Sequence, residues 1–223
     1  MDKQKGGDHG LNEGLTNMEK EYQSKYGFLP DSQEELLELI QEKYKVKDSK
    51  IKELLDRINS LEWIEKTLSL PLVPKPSPRP RATCHGAHFY VKGAKDHKKI
   101  MRRFVEVNDI AYTLTEVNLK CYEPIPTSSM NGAEIYLAQL GIIRPIGGGD
   151  WDNLAKTYCD MMQGFLICND NIIFKGTVEK FYSLKPGIEI TIRYQSDFDC
   201  KYNQRKMTGS KSYKNLLPLI TKS

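Results

Sequence analysis

Residues 147–162 read GGGDWDNLAKTYCDMM. Trp151, Leu154, Ala155, Tyr158, Met161 and Met162 recur at helical spacing, so the segment is an amphipathic helix with one apolar face turned to a core. Asp150 stands at its N-cap position, directly after three glycines. On the polar side Asp152, Lys156 and Asp160 follow one another at intervals of four residues. Two readings fit these residues. In the structural one, Asp150 caps the helix, Asp152 favours its dipole and Asp152–Lys156–Asp160 is a ladder of ion pairs. In the chemical one, Asp150 and Asp152 are hard oxygen ligands for Mg²⁺, which takes only a few ligands from protein. That reading needs a third carboxylate, and Asp170 in the CNDN turn (168–171) is the candidate. A plain polar turn explains the same four residues. Two metal ions about 3.5 to 4 Å apart would stabilise both the attacking and the leaving oxygen of a phosphodiester. Lys156 would stabilise the charge of that transition state or orient the water.

Outward from the helix, NIIFKGTVEKFYSL (171–184) and GIEITIRYQ (187–195) read as two strands joined at Lys185–Pro186–Gly187, an antiparallel hairpin. Upstream, AYTLTEVNLKCY (111–122) is a strand and NGAEIYLAQLGI (131–142) a short helix. HFYVKG (88–93) is a strand leading into AKDHKKIMRRFVEV (94–107), a helix with a basic side. Five prolines fall between 71 and 80, and Leu68, Leu70 and Leu72 alternate as a strand entering that basic loop. Before it, a capping box at Ser32–Glu35 opens a helix carrying Leu36, Ile40 and Tyr44. A second helix carries Ile51, Leu54, Leu55, Ile58 and Leu61 and runs to about Lys66. These two form a helical hairpin, read equally well as a dimer seam or as a small docked pair. The first 14 residues lack periodicity. From Lys201 the chain carries six Lys/Arg and no acid, the pattern of a flexible basic tail. The expected fold is therefore α/β in the α+β sense: a small mixed β-sheet with flanking helices, preceded by the helical hairpin. Its expected parts are a helical segment (1–66), a folded domain (67–195) and the tail (196–223).

Length and composition set the class. With 223 residues, 39% hydrophobic and 28% charged, the chain can bury a core and is an ordinary globular protein. No apolar run approaches the roughly 18 to 20 residues of a membrane span, and MDKQKGGDHG has no signal-peptide core. The five cysteines are scattered and never spaced CxxC, which excludes a zinc ribbon and points to a reducing cytoplasm. The net charge of +4 is uneven: residues 1–70 carry 11 Lys/Arg against 15 Asp/Glu, and residues 71–223 carry 22 against 14. A basic surface around an acidic pocket suits an enzyme acting on a polyphosphate. Cys84, His85 and His88 lack a second ligand pair for zinc. GGGD is not followed by the GK[ST] of a nucleotide-binding loop. Cys159 has no nearby histidine in sequence and reads as a packed thiol.

The ordered set PKPSPRPR (74–81), HFYVKG with its basic helix, DWDNLAK (150–156), NDNIIF (169–174) and VEKFY (178–182) resembles the RusA family of Holliday junction resolvases. That family carries a D-x-D-N-L-x-K helix start, a DD-x-x-V/I turn and a hairpin with a lysine. The resemblance covers residues 67–195. It implies a homodimer that resolves four-way DNA junctions by paired, Mg²⁺-dependent nicks, with Mn²⁺ a possible substitute, in the cytoplasm of a bacterium or phage-infected host and without a membrane. By position, Asp150, Asp152 and Asp170 match the metal-binding carboxylates and Lys156 the catalytic lysine. Lys75, Arg79, Arg81, Lys92 and Lys180 are the expected DNA contacts, Lys180 by matching the hairpin lysine. The sequence departs from the pattern at two places in this region. Gly149 replaces a proline or basic residue, which implies a looser loop. Asn169 replaces the first acid of the DD pair, which implies weaker metal binding. The N-terminal helices lie outside the resemblance, and binding a protein partner or extending the dimer are both open to them. The alternatives are a branched-DNA-binding protein with weak or no catalysis, and an adaptor acting through those helices.

Overall fold

The computed structural model describes residues 33–76, 81–82, 88–89, 99 and 110–220. The chain divides into two compact units, Met1–Asp56 and Arg57–Ser223. Helix α1 (Gln33–Tyr44) ends at Lys45, whose φ of 50° is a left-handed stop, and helix α2 spans Asp48–Asn59. Their apolar residues Leu37, Ile40, Tyr44, Leu54, Leu55 and Ile58 are exposed. Helix α2 stops short of the expected Lys66. Hydrogen bonds from Ser60 N–H to Arg57 O and from Leu61 N–H to Ile58 O close its last turn. Residues Trp63–Leu70 then form strand β1, which pairs along its whole length with the later strand Gly187–Gln195. Lys66, Leu68 and Leu70 turn inward with a period of two. Leu61 continues the helical spacing by coincidence; the partner strand that fixes 63–70 lies more than a hundred residues away, beyond any local window.

Short strands β2 (Arg81–Ala82) and β3 (His88–Phe89) pair antiparallel. The basic helix expected at 94–107 lies outside the described residues. The main sheet contains β1, β4 (Thr115–Pro124), β5 (Ile173–Ser183) and β6 (Gly187–Gln195) in the order β1-β6-β4-β5. It is mixed: β4 runs parallel to β5 and antiparallel to β6. The expected 171–195 hairpin is therefore corrected, because β4 lies between its two arms. Leu184–Pro186 crosses the end of β4, a gap of two strand spacings, roughly 9 to 10 Å, within the reach of about four extended residues. From Thr115 to Glu123, strand β4 alternates strictly between buried and half-buried residues, and it has pairing partners on both edges. A parallel β4–β5 pair needs a long crossover. Helices α3 (Gly132–Gln139) and α4 (Trp151–Met162) supply it.

Helix α3 starts with a full capping box: Asn131 accepts from Glu134 N–H at 3.0 Å and Glu134 accepts from Asn131 N–H at 2.8 Å. Helix α4 lays Leu154, Tyr158, Met161 and Met162 into the core with Val117, Leu119 and Cys121 of β4 and Ile188, Ile190 and Ile192 of β6. The expected flexible tail is replaced by two helices, α5 (Lys201–Gly209) and α6 (Lys211–Ile220). Phe198, Met207 and Leu216 join the core, and Tyr112 meets Phe198 and Tyr213 at ring-centroid distances of 5.7 and 5.9 Å. Six cations without an acid masked this sparse apolar stripe. Among the described residues no helix is long and apolar enough to cross a membrane.

Candidate active site

The glycine loop and the start of α4 are anchored to the outer strand β5. Arg144 donates to Lys180 O at 3.1 Å and stacks its guanidinium 3.7 Å from the centre of the Phe181 ring. Lys180 Nζ donates to Gly147 O and Gly149 O at 3.1 and 3.2 Å. Trp151 Nε1 donates to Val178 O at 3.0 Å. The loop also rests on the proline segment. A Cβ on Gly149 (φ +121°) would lie 2.7 Å from Pro76 Cγ, and one on Gly148 (φ +82°) would lie 2.6 Å from Glu123 Oε1. Lys75 N–H donates to the Tyr158 hydroxyl at 3.2 Å, tying the proline segment to α4. The looser loop expected from three glycines is thus corrected: glycine serves close approach and left-handed backbone here. Gly148→Ala is expected to cost about 1 to 3 kcal/mol from backbone strain alone, read as a lowered urea midpoint.

Asp150 occupies the N-cap of α4, yet its side chain makes no capping hydrogen bond. Instead Asn153 Nδ2 donates to Asp150 Oδ2 at 3.2 Å. The asparagine of D-x-D-N therefore orients the first aspartate, a role that spacing alone did not reveal. Asp152 follows in the first turn, exposed, and Lys156 pairs with Asp160 at 3.6 Å on the solvent side. Asp170 opens a short 3₁₀ turn (Asp170–Ile172) and is exposed. It lies within electrostatic reach of Cys159, whose thiol is pushed up to about 11, by burial first and then by the charges of Asp170 and Asp160. Asp152 and Cys159 are seven residues apart and share a helix face, about 10.5 Å apart along the axis. Among the described residues, no group of three or more His, Cys, Asp or Glu side chains is gathered to hold a metal ion. Oxygen donors on two exposed aspartates fit the open mode of Mg²⁺, which binds through one or two carboxylates and keeps waters and substrate phosphates.

Asn169, the departure from the DD pair, makes two bonds of its own. Its side-chain oxygen accepts from Asn171 N–H at 3.1 Å, and its Nδ2 donates to Ser212 Oγ of α6 at 3.1 Å. An aspartate could accept the first bond but has no N–H for the second. Of the expected DNA contacts, Lys75 is exposed and Lys180 half-buried. The backbone of Arg81 pairs with Phe89. Arg79, Lys92 and the Arg81 side chain lie outside the described residues. The burial of Cys121, whose thiol is pushed up to about 12, leaves it unreactive.

One residue of this neighbourhood escaped sequence reasoning. Glu123 is 7% exposed, and its Oε1 has no hydrogen-bond partner among the described residues. Burial raises its pKa, and the charge of Lys180 partly opposes the rise. The available signal was its register: Val117, Leu119, Cys121 and Glu123 share the inward face of β4. A carboxyl raised on folding contributes stability below its unfolded pKa of about 4.3 and loses it as pH rises through the folded value. Glu123→Gln is therefore expected to raise the melting temperature at pH 8, with the gain vanishing near pH 4.

The endodeoxyribonuclease RusA family matches residues 71–193, more than half of the chain, and the chain belongs to that family. The uncharacterized protein YqaN of Bacillus subtilis (strain 168) is 32% identical over 78 residues, 34% of this chain and 55% of that protein. The chain thus spans about half the length of this curated relative.

Proposed function

We propose that the protein is a Mg²⁺-dependent, structure-selective endodeoxyribonuclease that resolves four-way DNA junctions by paired nicks. The observation that carries this reading is the start of α4, inside the family match: Asp150 is oriented by Asn153 and not used as a cap, with Asp152 one turn away from Lys156. Asp150 and Asp152 would hold the metal ion, with Asp170 as the third carboxylate. Bound there, the ion supplies charge stabilisation to the attacked phosphate. Lys156, exposed beside Asp152 on the helix, places a cation near the same phosphate. Lys75, with Arg79, Arg81 and Lys92, draws the DNA backbone towards the site. The excess of 22 Lys/Arg over 14 Asp/Glu in residues 71–223 favours that contact. The exposed apolar residues of α1 and α2 support an intermolecular contact, made by a second copy or by a partner protein.

The test is a labelled synthetic four-way junction incubated with full-length protein and Mg²⁺, beside a linear duplex and a chelator control. Symmetric nicks on the junction alone are the expected result. Tight junction binding without cutting in Mg²⁺ or Mn²⁺ would identify a branched-DNA-binding protein instead, a reading that the uncharged Asn169 favours. If removal of residues 1–56 abolishes cutting, the N-terminal helices are part of the active assembly.

A further inference from the structure

Four groups of the segment that leads into α4 are fixed to three residues of β5, Val178, Lys180 and Phe181. Arg144, the carbonyls of Gly147 and Gly149, and the Trp151 indole reach Val178 O, Lys180 O, Lys180 Nζ and the Phe181 ring. Residue 180 is itself held in the sheet opposite Cys121. Lys180 makes the two bonds nearest the site, and the residue after Gly149 is Asp150, whose carbonyl accepts the first helical bond from Leu154 N–H at 3.1 Å. Beneath the loop lies Glu123, close enough that any Cβ on Gly148 would strike its carboxylate. Among the described residues its buried Oε1 has no hydrogen-bond partner, and the charge of Lys180 partly opposes the rise in its pKa that burial causes. Lysines that serve DNA phosphates keep their heads in water, as Lys75 does. Lys180 turns its head inward, onto backbone carbonyls.

We propose that Lys180 is a positioning residue: its ammonium clamps the glycine loop through the Gly147 and Gly149 carbonyls and so sets where the Asp150 carboxylate stands. The proposal rests on the reading of Asp150 and Asp152 as metal ligands, and it replaces the DNA contact expected of Lys180. Ligand-supporting groups of this kind typically change metal affinity or activity by about 10- to 100-fold when lost. A phosphate contact has a different signature. Its loss weakens DNA binding and lowers the salt slope by about one, and leaves metal affinity alone.

The experiment uses full-length protein with three readouts: Mn²⁺ uptake followed by the electron paramagnetic resonance of the free ion, junction affinity across a salt series, and junction cutting. For Lys180→Met the expected result is about 10-fold weaker Mn²⁺ binding and at least about 10-fold slower cutting, with wild-type junction affinity and salt slope. Glu123→Gln guards against a Lys180 variant that fails to fold. It is expected to weaken Mn²⁺ binding by about two- to five-fold while raising thermal stability at pH 8, a pairing that a purely structural role would not give. Lys180→Met with unchanged Mn²⁺ affinity and a reduced salt slope overturns the clamp in favour of a phosphate contact. Unchanged Mn²⁺ affinity in both variants also overturns it. Wild-type protein that takes up Mn²⁺ and cuts no junction sinks the nuclease reading and leaves the clamp decided by the Mn²⁺ arm. Wild-type protein that takes up no Mn²⁺ overturns both.

Discussion

Asp152→Asn is expected to slow junction nicking by at least about a thousand-fold while junction affinity stays within about two-fold of wild type. The size follows from the chemistry of phosphodiester hydrolysis. Metal stabilisation of the transition state amounts to several kcal/mol, and each 1.36 kcal/mol or so is a factor of ten in rate. Asparagine keeps the volume and one oxygen donor of Asp152 but removes the charge that, in the proposed reading, would hold a hard cation. In the proposed reading affinity for the junction would come from Lys and Arg against phosphate, and the substitution removes none of these. Asp152 is exposed in the first turn of α4, and its charge there also favours the helix dipole, a small part of the fold's stability. Gel-shift titration and a single-turnover cutting assay on the same preparation separate the two effects. Cutting at the wild-type rate would remove Asp152 from the site.

What was legible in the sequence follows the range of the interactions. The apolar face of α4 and the alternation of β4 and β6 are written in adjacent residues, and so are visible in a short window. The true end of α2 was hidden because residues 63–66 are strand only by pairing with 192–195. The hairpin error has the same origin. KPG is a good turn, but the central position of β4 is decided by burial on both its edges, which a turn signal does not carry. At the candidate site, the residue types with chemical meaning could be named from their order, whereas their hydrogen-bond partners could not. Asn153 and the two carbonyls under Lys180 act through distances of about 3 Å between segments far apart in the chain or across one helical turn. The glycines were misread for a related reason. Their permissive backbone suggests looseness in isolation, while the contacts of Gly148 and Gly149 with Glu123 and Pro76 require the absence of a side chain.

Ending the chain at Asp197 is expected to unfold the Arg57–Asp197 core or leave it with a fraction of its stability. The family match ends at residue 193, and a boundary drawn there discards α5 and α6 as an appendage. Phe198, Met207 and Leu216 are 6%, 7% and 7% exposed and belong to the same cluster as α4 and the sheet. Full burial of each such side chain contributes about 1.5 to 3 kcal/mol, so the three together contribute roughly 5 to 9 kcal/mol. That is comparable to the roughly 5 to 15 kcal/mol by which a whole domain is stable. A mobile basic tail would contribute nothing, so the urea midpoint of the shortened chain decides between the two descriptions. Met207→Ala and Leu216→Ala in the full chain give the graded version, at about 2 to 5 kcal/mol each. The same deletion also removes Ser212, the partner of Asn169, and with it the tether of the turn that presents Asp170. Ser212→Ala isolates that contact, at a cost of only about 1 kcal/mol. A chain that keeps its fold with this substitution but cuts more slowly would tie the C-terminal helix to the placement of the third carboxylate.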